Sequence, residues 1–356
     1  MTVPGSGVFI NSLIPIGPSL CGWLVAFFAL GVAWSGLFNI LKFVMSIFVF
    51  VIVIGVLYVA VHTFPGFSEL LKGLSFHVPD VPDWAVAMDG VSDNPWKELL
   101  PLIGWSAGGF ASQVWYTYWV LGANYGACAG RGYGKGADLS MLGNMSRRSA
   151  EKIKGWCRVV YLDATLAFVV GTVVTCGFLL AGASILGPKQ MAPQGGDVAI
   201  TLSNVFSEKW GAFGGILFML SGAAALVASL IGLLAGWPRL LADSFRLCIP
   251  ALVKKFSWKI QYRFFLVFFL CTNMIIVFTM KMKPVALVKL SAVLDGLILT
   301  PLQAVWVAIG LFVVMPKILS REAFEVLRPS WIFLVGLIAA FLVFGYFCVF
   351  QIPFIF

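Results

Sequence analysis

Charge is scarce in this chain: 11% of its 356 residues are charged, 60% are hydrophobic, and the mean hydropathy is +0.97. A soluble globular protein carries about a quarter of its residues as charges, so the composition excludes that class and describes a polytopic membrane protein. Histidine is scarcer still. His62 and His77 are the two in the sequence, with no carboxylate beside them at metal-ligand spacing, so neither a zinc site nor an HExxH motif is indicated. No Ser, His and Asp arrangement for hydrolysis is present either, which leaves enzyme chemistry without residues to carry it. The seven cysteines (Cys21, Cys128, Cys157, Cys176, Cys248, Cys271 and Cys348) are scattered and include no CxxC pair, against a disulfide framework. Residues 1–11 have no basic n-region, so they do not read as a signal peptide. Their Gly and Pro content suggests the middle of a longer protein.

Long hydrophobic runs are what the chain has in plenty. A hydrocarbon core about 30 Å thick needs about 20 apolar residues per helix. By that measure the spans are expected at residues 13–33, 38–61, 99–119, 159–186, 211–234, 264–280, 285–315 and 331–350, which makes eight. The short link at 34–37 makes the first two antiparallel neighbours. Residues 64–97 form a polar loop outside the bilayer, with Pro65, Pro79, Pro82 and Pro95 and the acids Asp80, Asp83, Asp89 and Asp93.

Assigning the loops alternately to the two sides puts most of the 24 basic residues on one of them, including Arg147, Arg148, Lys152, Lys154 and Arg158, and Lys254, Lys255 and Lys259. The positive-inside rule makes that side cytoplasmic and leaves both termini outside. The net charge of +9 is therefore a topology signal and not a nucleic-acid face. The basic loops read most simply as topology determinants, with binding of lipid headgroups as the alternative.

The third span, LLPLIGWSAGGFASQVWYTYW, differs from the rest. Gly104, Ser106, Ala107, Gly108 and Gly109 remove the side chains that hold a helix, at a cost of about 1 kcal/mol per Gly relative to Ala. The run then resumes with Ser112, Gln113, Trp115, Tyr116, Thr117, Tyr118 and Trp119, which are large and hydrogen-bonding. Irregular backbone at membrane depth is tolerated where protein or a water-filled cavity meets the freed backbone groups, so the break predicts a binding cavity. A Gly-rich face that lets two helices approach closely is the alternative.

Two carboxylates interrupt apolar runs. Asp295 lies deep in the seventh span beside Gly296, Thr300, Pro301 and Gln303, and an intramembrane carboxylate is a functional candidate by default. Lys289, one or two turns away, offers to neutralise it structurally. Asp163, at the inner end of the fourth span, reads as a relay carboxylate or as a structural one that caps a helix or pairs with Arg158. GRGYGKG at 130–136 has the letters of a phosphate loop, yet no strand precedes it, and it reads as a flexible hinge.

GWSAGG followed by WYTYW, YLDATLAF in the fourth span, GWPRLLADSFR closing the fifth and LDGLILTPLQ in the seventh resemble the NRAMP family of divalent-metal transporters. The likeness is greatest to its divergent bacterial branches, which include NRAMP-related magnesium transporters. FPGFSELLKGLSFHVPDVP, after the second span, resembles that family's outer loop. The resemblance implies an all-α, LeuT-type inverted-repeat fold with an ion held where two helices unwind. In that register residues 12–63 match the family's helices four and five, 64–97 its extracytoplasmic loop, 98–316 its helices six to ten, and 329–352 its last helix, all within one transmembrane domain. The family's first three helices, with an Asp-Pro-Gly motif that supplies the main metal carboxylate, have no counterpart here. The chain is thus expected to be N-terminally incomplete.

The resemblance also places Gly108 where classical members have a methionine and Phe110 where they have a histidine. Loss of the soft sulfur, and a wider cavity, suit Mg²⁺ or Mn²⁺ held by oxygen atoms and water. The expected ligands are Ser106, the carbonyl near Ala107, Gly108, Gln113 and Asp295. Gly104, Gly108 and Gly109 would form the broken backbone, with Trp105, Trp115, Tyr116, Thr300 and Gln303 lining the cavity. The expected function is secondary transport of a divalent cation across the cell membrane by alternating access, with no resident cofactor and no nucleic-acid partner. The alternatives are an amino-acid or organic-cation permease of the same fold, and a non-transporting membrane fragment or subunit.

Overall fold

The computed structural model describes residues 10–352 except 12–15, 37, 65, 69–70, 72–77, 79, 89–90, 107–108, 192–196 and 280–283. Every regular element among the described residues is helical. In chain order these are α1 (Pro18–Trp34), α2 (Phe38–Thr63), α3 (Asp83–Val86), α4 (Pro95–Ser106), α5 (Phe110–Gly122), α6 (Leu139–Gly143), α7 (Arg147–Leu186), α8 (Asp197–Cys248), α9 (Ala251–Lys255) and α10 (Trp258–Thr279). There follow α11 (Pro284–Ser291), α12 (Leu299–Ile309), α13 (Met315–Ile318), α14 (Arg321–Leu327) and α15 (Trp331–Tyr346). Turns of π-helix at Ala292–Ile298, Gly310–Val314 and Phe347–Gln351 join or extend the last of them.

Among the described residues six helices are long and apolar enough to cross a membrane: Asn39–Tyr58, Arg147–Ser184, Gly211–Cys248, Trp258–Ile276, Leu287–Ile318 and Trp331–Gln351. Two of the eight expected spans fall outside that set, each for a physical reason. The first is a shorter apolar helix, Ser19–Trp34, cut at its start by Gly17 with φ +99° and by Pro18. The third is divided into α4 and α5. The expected fourth span, 159–186, is the later part of α7, a helix of 40 residues and therefore about 60 Å long. Its first turns carry Arg147, Arg148, Lys152 and Lys154, all exposed, and i,i+4 pairing of Arg147 with Glu151 at 3.4 Å supports them. In α8, Gly211 has φ +72°, in the left-handed region that favours glycine.

The chain divides into two compact units. One comprises Met1–Pro95, Ala167–Pro238 and Arg263–Val288. Its interior is made mostly of small side chains: Cys21, Ala26, Ala29, Val56, Ala223, Ala224, Ile231 and Leu234 are buried. In this unit Gly55 stands so close to Ser221 that a Cβ at Gly55 would collide with the hydroxyl. Small residues at such crossings let helix backbones approach where lipid supplies no hydrophobic drive. His62 is tied to its own helix, with its ring nitrogen 2.8 Å from the Tyr58 carbonyl.

The other unit comprises Trp96–Leu166, Arg239–Tyr262 and Lys289–Phe356. One of its buried clusters joins Leu100, Val293 and Leu297, against which Trp96, Ile103, Phe344 and Phe347 pack. A second, Met145, Ala150 and Ala323, ties α6, α7 and α14 together, and the Ser320 hydroxyl donates to the Met145 carbonyl. The broken span, and the seventh span from Lys289 onward, lie in this unit.

Candidate functional site

α4 is described as far as Ser106, and α5 begins at Phe110 after the non-helical Gly109, so the third span is interrupted before Phe110. Ala107 and Gly108 lie outside the described residues, as do the side chains of Trp105 and Ser106. Gly109 precedes α5 with φ +29° and ψ 135°, a conformation that L side chains rarely adopt. No side chain from α5 itself caps its N-terminus. The cap arrives from elsewhere in the chain.

It is Asp295. The Ala111 N–H donates to its carboxylate at 3.1 Å, across 184 residues of sequence. A carboxylate against the first amides of a helix satisfies an orphan donor and meets the positive end of the helix dipole. Two features bring it there. Asp295 sits in the π-helical turn Ala292–Ile298, whose wider backbone re-aims its side chain, and Gly109 has no Cβ, which would otherwise strike the carboxylate.

Gly104 corrects the expectation that it is part of the broken backbone. It lies inside α4, where its missing Cβ lets the Ala292 carbonyl and Gly296 pack directly against it. Gly296 in turn touches Gly104 backbone to backbone. Close approach explains Gly104, and the positive φ before α5 belongs to Gly109.

Lys289 does not neutralise Asp295. Its ammonium reaches Glu98 of α4 at 2.6 Å, because Asp295 faces the opposite stretch of the broken span. Both side chains of this pair are about one-third exposed (35% and 34%), so the coupling is expected to be modest. In a double-mutant cycle of Lys289→Ala and Glu98→Ala, measured by thermal unfolding in detergent, we expect a coupling of about 0.5–1 kcal/mol. Additive losses would mean that the pair holds nothing together.

Farther along, Gln303 Nε2 donates to Gln113 Oε1 at 2.6 Å. Glu98 with Lys289, Ala111 with Asp295 and Gln113 with Gln303 thus form three polar cross-links between the broken span and the seventh. They run in the same order along both, so the two spans lie side by side and parallel. The Thr300 hydroxyl is taken up by the Gly296 carbonyl of its own helix. Trp115 and Tyr116 are half-buried on α5. Asp163 is exposed on α7; it is not ion-paired with Arg158 among the described residues.

Local spacing missed Glu98 and the amide of Ala111, for neither is distinguished by its neighbours. The structure also replaces the flexible-hinge reading of GRGYGKG. The Tyr133 ring stacks on Trp258 at 4.8 Å and 12°, and Gly134, with φ +75°, lies against the same indole. The three glycines with positive φ at 130, 132 and 134 shape a tight loop that aromatic stacking holds in place.

Among the described residues, no three His, Cys, Asp or Glu side chains come together as a metal cluster. An ion at the break would meet one carboxylate and otherwise neutral oxygens. No family model, curated protein or solved structure matches the chain.

Proposed function

We propose that the chain acts in secondary transport of divalent metal cations, with Mg²⁺ or Mn²⁺ preferred over softer metals, by alternating access around the broken span. The observation that carries this reading is the Asp295 carboxylate at the break, 3.1 Å from the Ala111 amide. A carboxylate kept at that depth is costly, and it is of use where a cation arrives to share it. One carboxylate, with the amide oxygens of Gln113 and Gln303 and the backbone carbonyls at the interruption, is a hard, weakly charged donor set. Such a set suits an ion that keeps several of its waters, as Mg²⁺ does.

The same observation weighs against an amino-acid permease. That substrate would present its own carboxylate to the first amides of α5, the position Asp295 holds, and two carboxylates there would repel each other. The LeuT-type inverted-repeat arrangement, the cell-membrane location and the lipid contacts of the basic loops belong to the same proposal.

The test is binding, measured on the whole chain in nanodiscs. Mn²⁺ titration followed by electron paramagnetic resonance should reveal a saturable site that Mg²⁺ displaces and Na⁺ does not. Absence of any saturable Mn²⁺ binding by folded protein would overturn the proposal and favour a non-transporting membrane subunit.

A further inference from the structure

The basic side of the second unit holds a cluster that ion binding does not use. Arg239, in GWPRLLADSFR on α8, is 1% exposed. Its guanidinium lies over three rings: Trp119 at 5.6 Å, Tyr133 at 5.2 Å and Tyr262 at 5.1 Å. Those rings come from three different elements, namely the inner end of α5, the glycine loop and α10. Trp258 completes the box, stacked on Tyr262 at 5.2 Å and 6° as well as on Tyr133.

One turn on from Arg239, Asp243 faces the same three elements. The Trp258 indole N–H donates to it at 2.7 Å, and the Tyr118 hydroxyl and the Gly134 amide lie beside it as electrostatic partners. A buried guanidinium has lost its hydration, and desolvated cation–π contacts with several rings return part of that cost. A half-buried carboxylate is likewise satisfied only while the polar groups around it stay docked. Tyr118 and Trp119, the last aromatic pair of the WYTYW run, are thus gripped by one acid and one base on consecutive turns of α8.

We propose that Arg239 and Asp243 form a latch that holds the inner end of α5 closed on the cytoplasmic side, with the GRGYGKG loop as its strap through Tyr133 and Gly134. Opening that side requires α5 to leave Arg239 and Asp243 together. The latch's part in alternating access rests on the transport reading above, whereas its grip on α5 does not.

The test is hydrogen exchange of the metal-free chain in nanodiscs, read by mass spectrometry, for Tyr118→Phe and Tyr133→Leu. Tyr118→Phe removes one hydroxyl and little volume, so it keeps the question answerable if Tyr133→Leu fails to fold. We expect amides of residues 110–122 to exchange about five-fold faster in Tyr118→Phe, the population change from losing one polar contact with Asp243, while residues 331–346 stay unchanged. Labelling of Cys128 by a maleimide supplies a second reading. Burial raises its thiol pKa and the nearby Arg131 opposes the shift, so labelling should be slow in the parent and faster in both variants. A rise confined to residues 129–136, or no rise in folded protein, would overturn the latch. Neither result depends on Mn²⁺, so a chain that binds no metal can still prove latched.

Discussion

Asp295→Asn should weaken Mn²⁺ binding at least about tenfold, the effect of removing the one carboxylate from a site otherwise built of neutral oxygens, while the chain stays folded. Asparagine keeps the shape, and its carbonyl oxygen still accepts from the Ala111 amide, now 3.1 Å from the carboxylate. What it loses is charge. The helix-dipole and charge-assisted parts of that contact are worth about 1–2 kcal/mol, so a moderate fall in thermal stability is expected beside the loss of binding. The two readouts separate two roles. A fall in stability with Mn²⁺ binding intact would make Asp295 a helix cap and nothing more.

The second large effect concerns packing. A Cβ on Gly296 would lie 2.6 Å from the Gly104 Cα and closer still to its carbonyl, and a Cβ on Gly104 would press on the Ala292 carbonyl. Both obstacles are backbone, which cannot rotate away. Gly296→Val should therefore cost at least about 3 kcal/mol and part the two spans, seen as a large drop in unfolding temperature in detergent. Gly310, which has nothing within 4 Å of its virtual Cβ, is the matched control. Gly310→Ala in the same span should be neutral or stabilising by under about 1 kcal/mol. Equal effects at the two glycines would refute the close approach.

How much of this was legible in the chain itself varies by residue. The helices long and apolar enough to cross a membrane, six among the described residues, follow from apolar runs. Glycine and proline account for the shortened α1, since Gly17 and Pro18 can be read directly. The glycine cluster points to an interruption, yet it does not tell Gly104 from Gly109. One lies against a neighbouring backbone and the other at a left-handed turn, and both demands select the same residue. Lys289 shows the limit most clearly. By spacing alone Asp295 is its natural partner, and Glu98, 191 residues away, is the one it meets.

Hydropathy and local sterics act over a few residues, so the sequence by itself determined a helical chain with several helices apolar and long enough to span a membrane, and a weak point in the third span. Which polar groups share that weak point depends on two spans lying parallel, and it is decided by close packing at Gly104 and Gly296 together with the π-helical turn that swings Asp295 onto α5. Only the tertiary structure paired Asp295 with Ala111, Gln113 with Gln303, and Arg239 with its three rings. The physical reason is the same for each: the partners are far apart in sequence and close only once the helices dock, and spacing along one helix carries no information about the register of another.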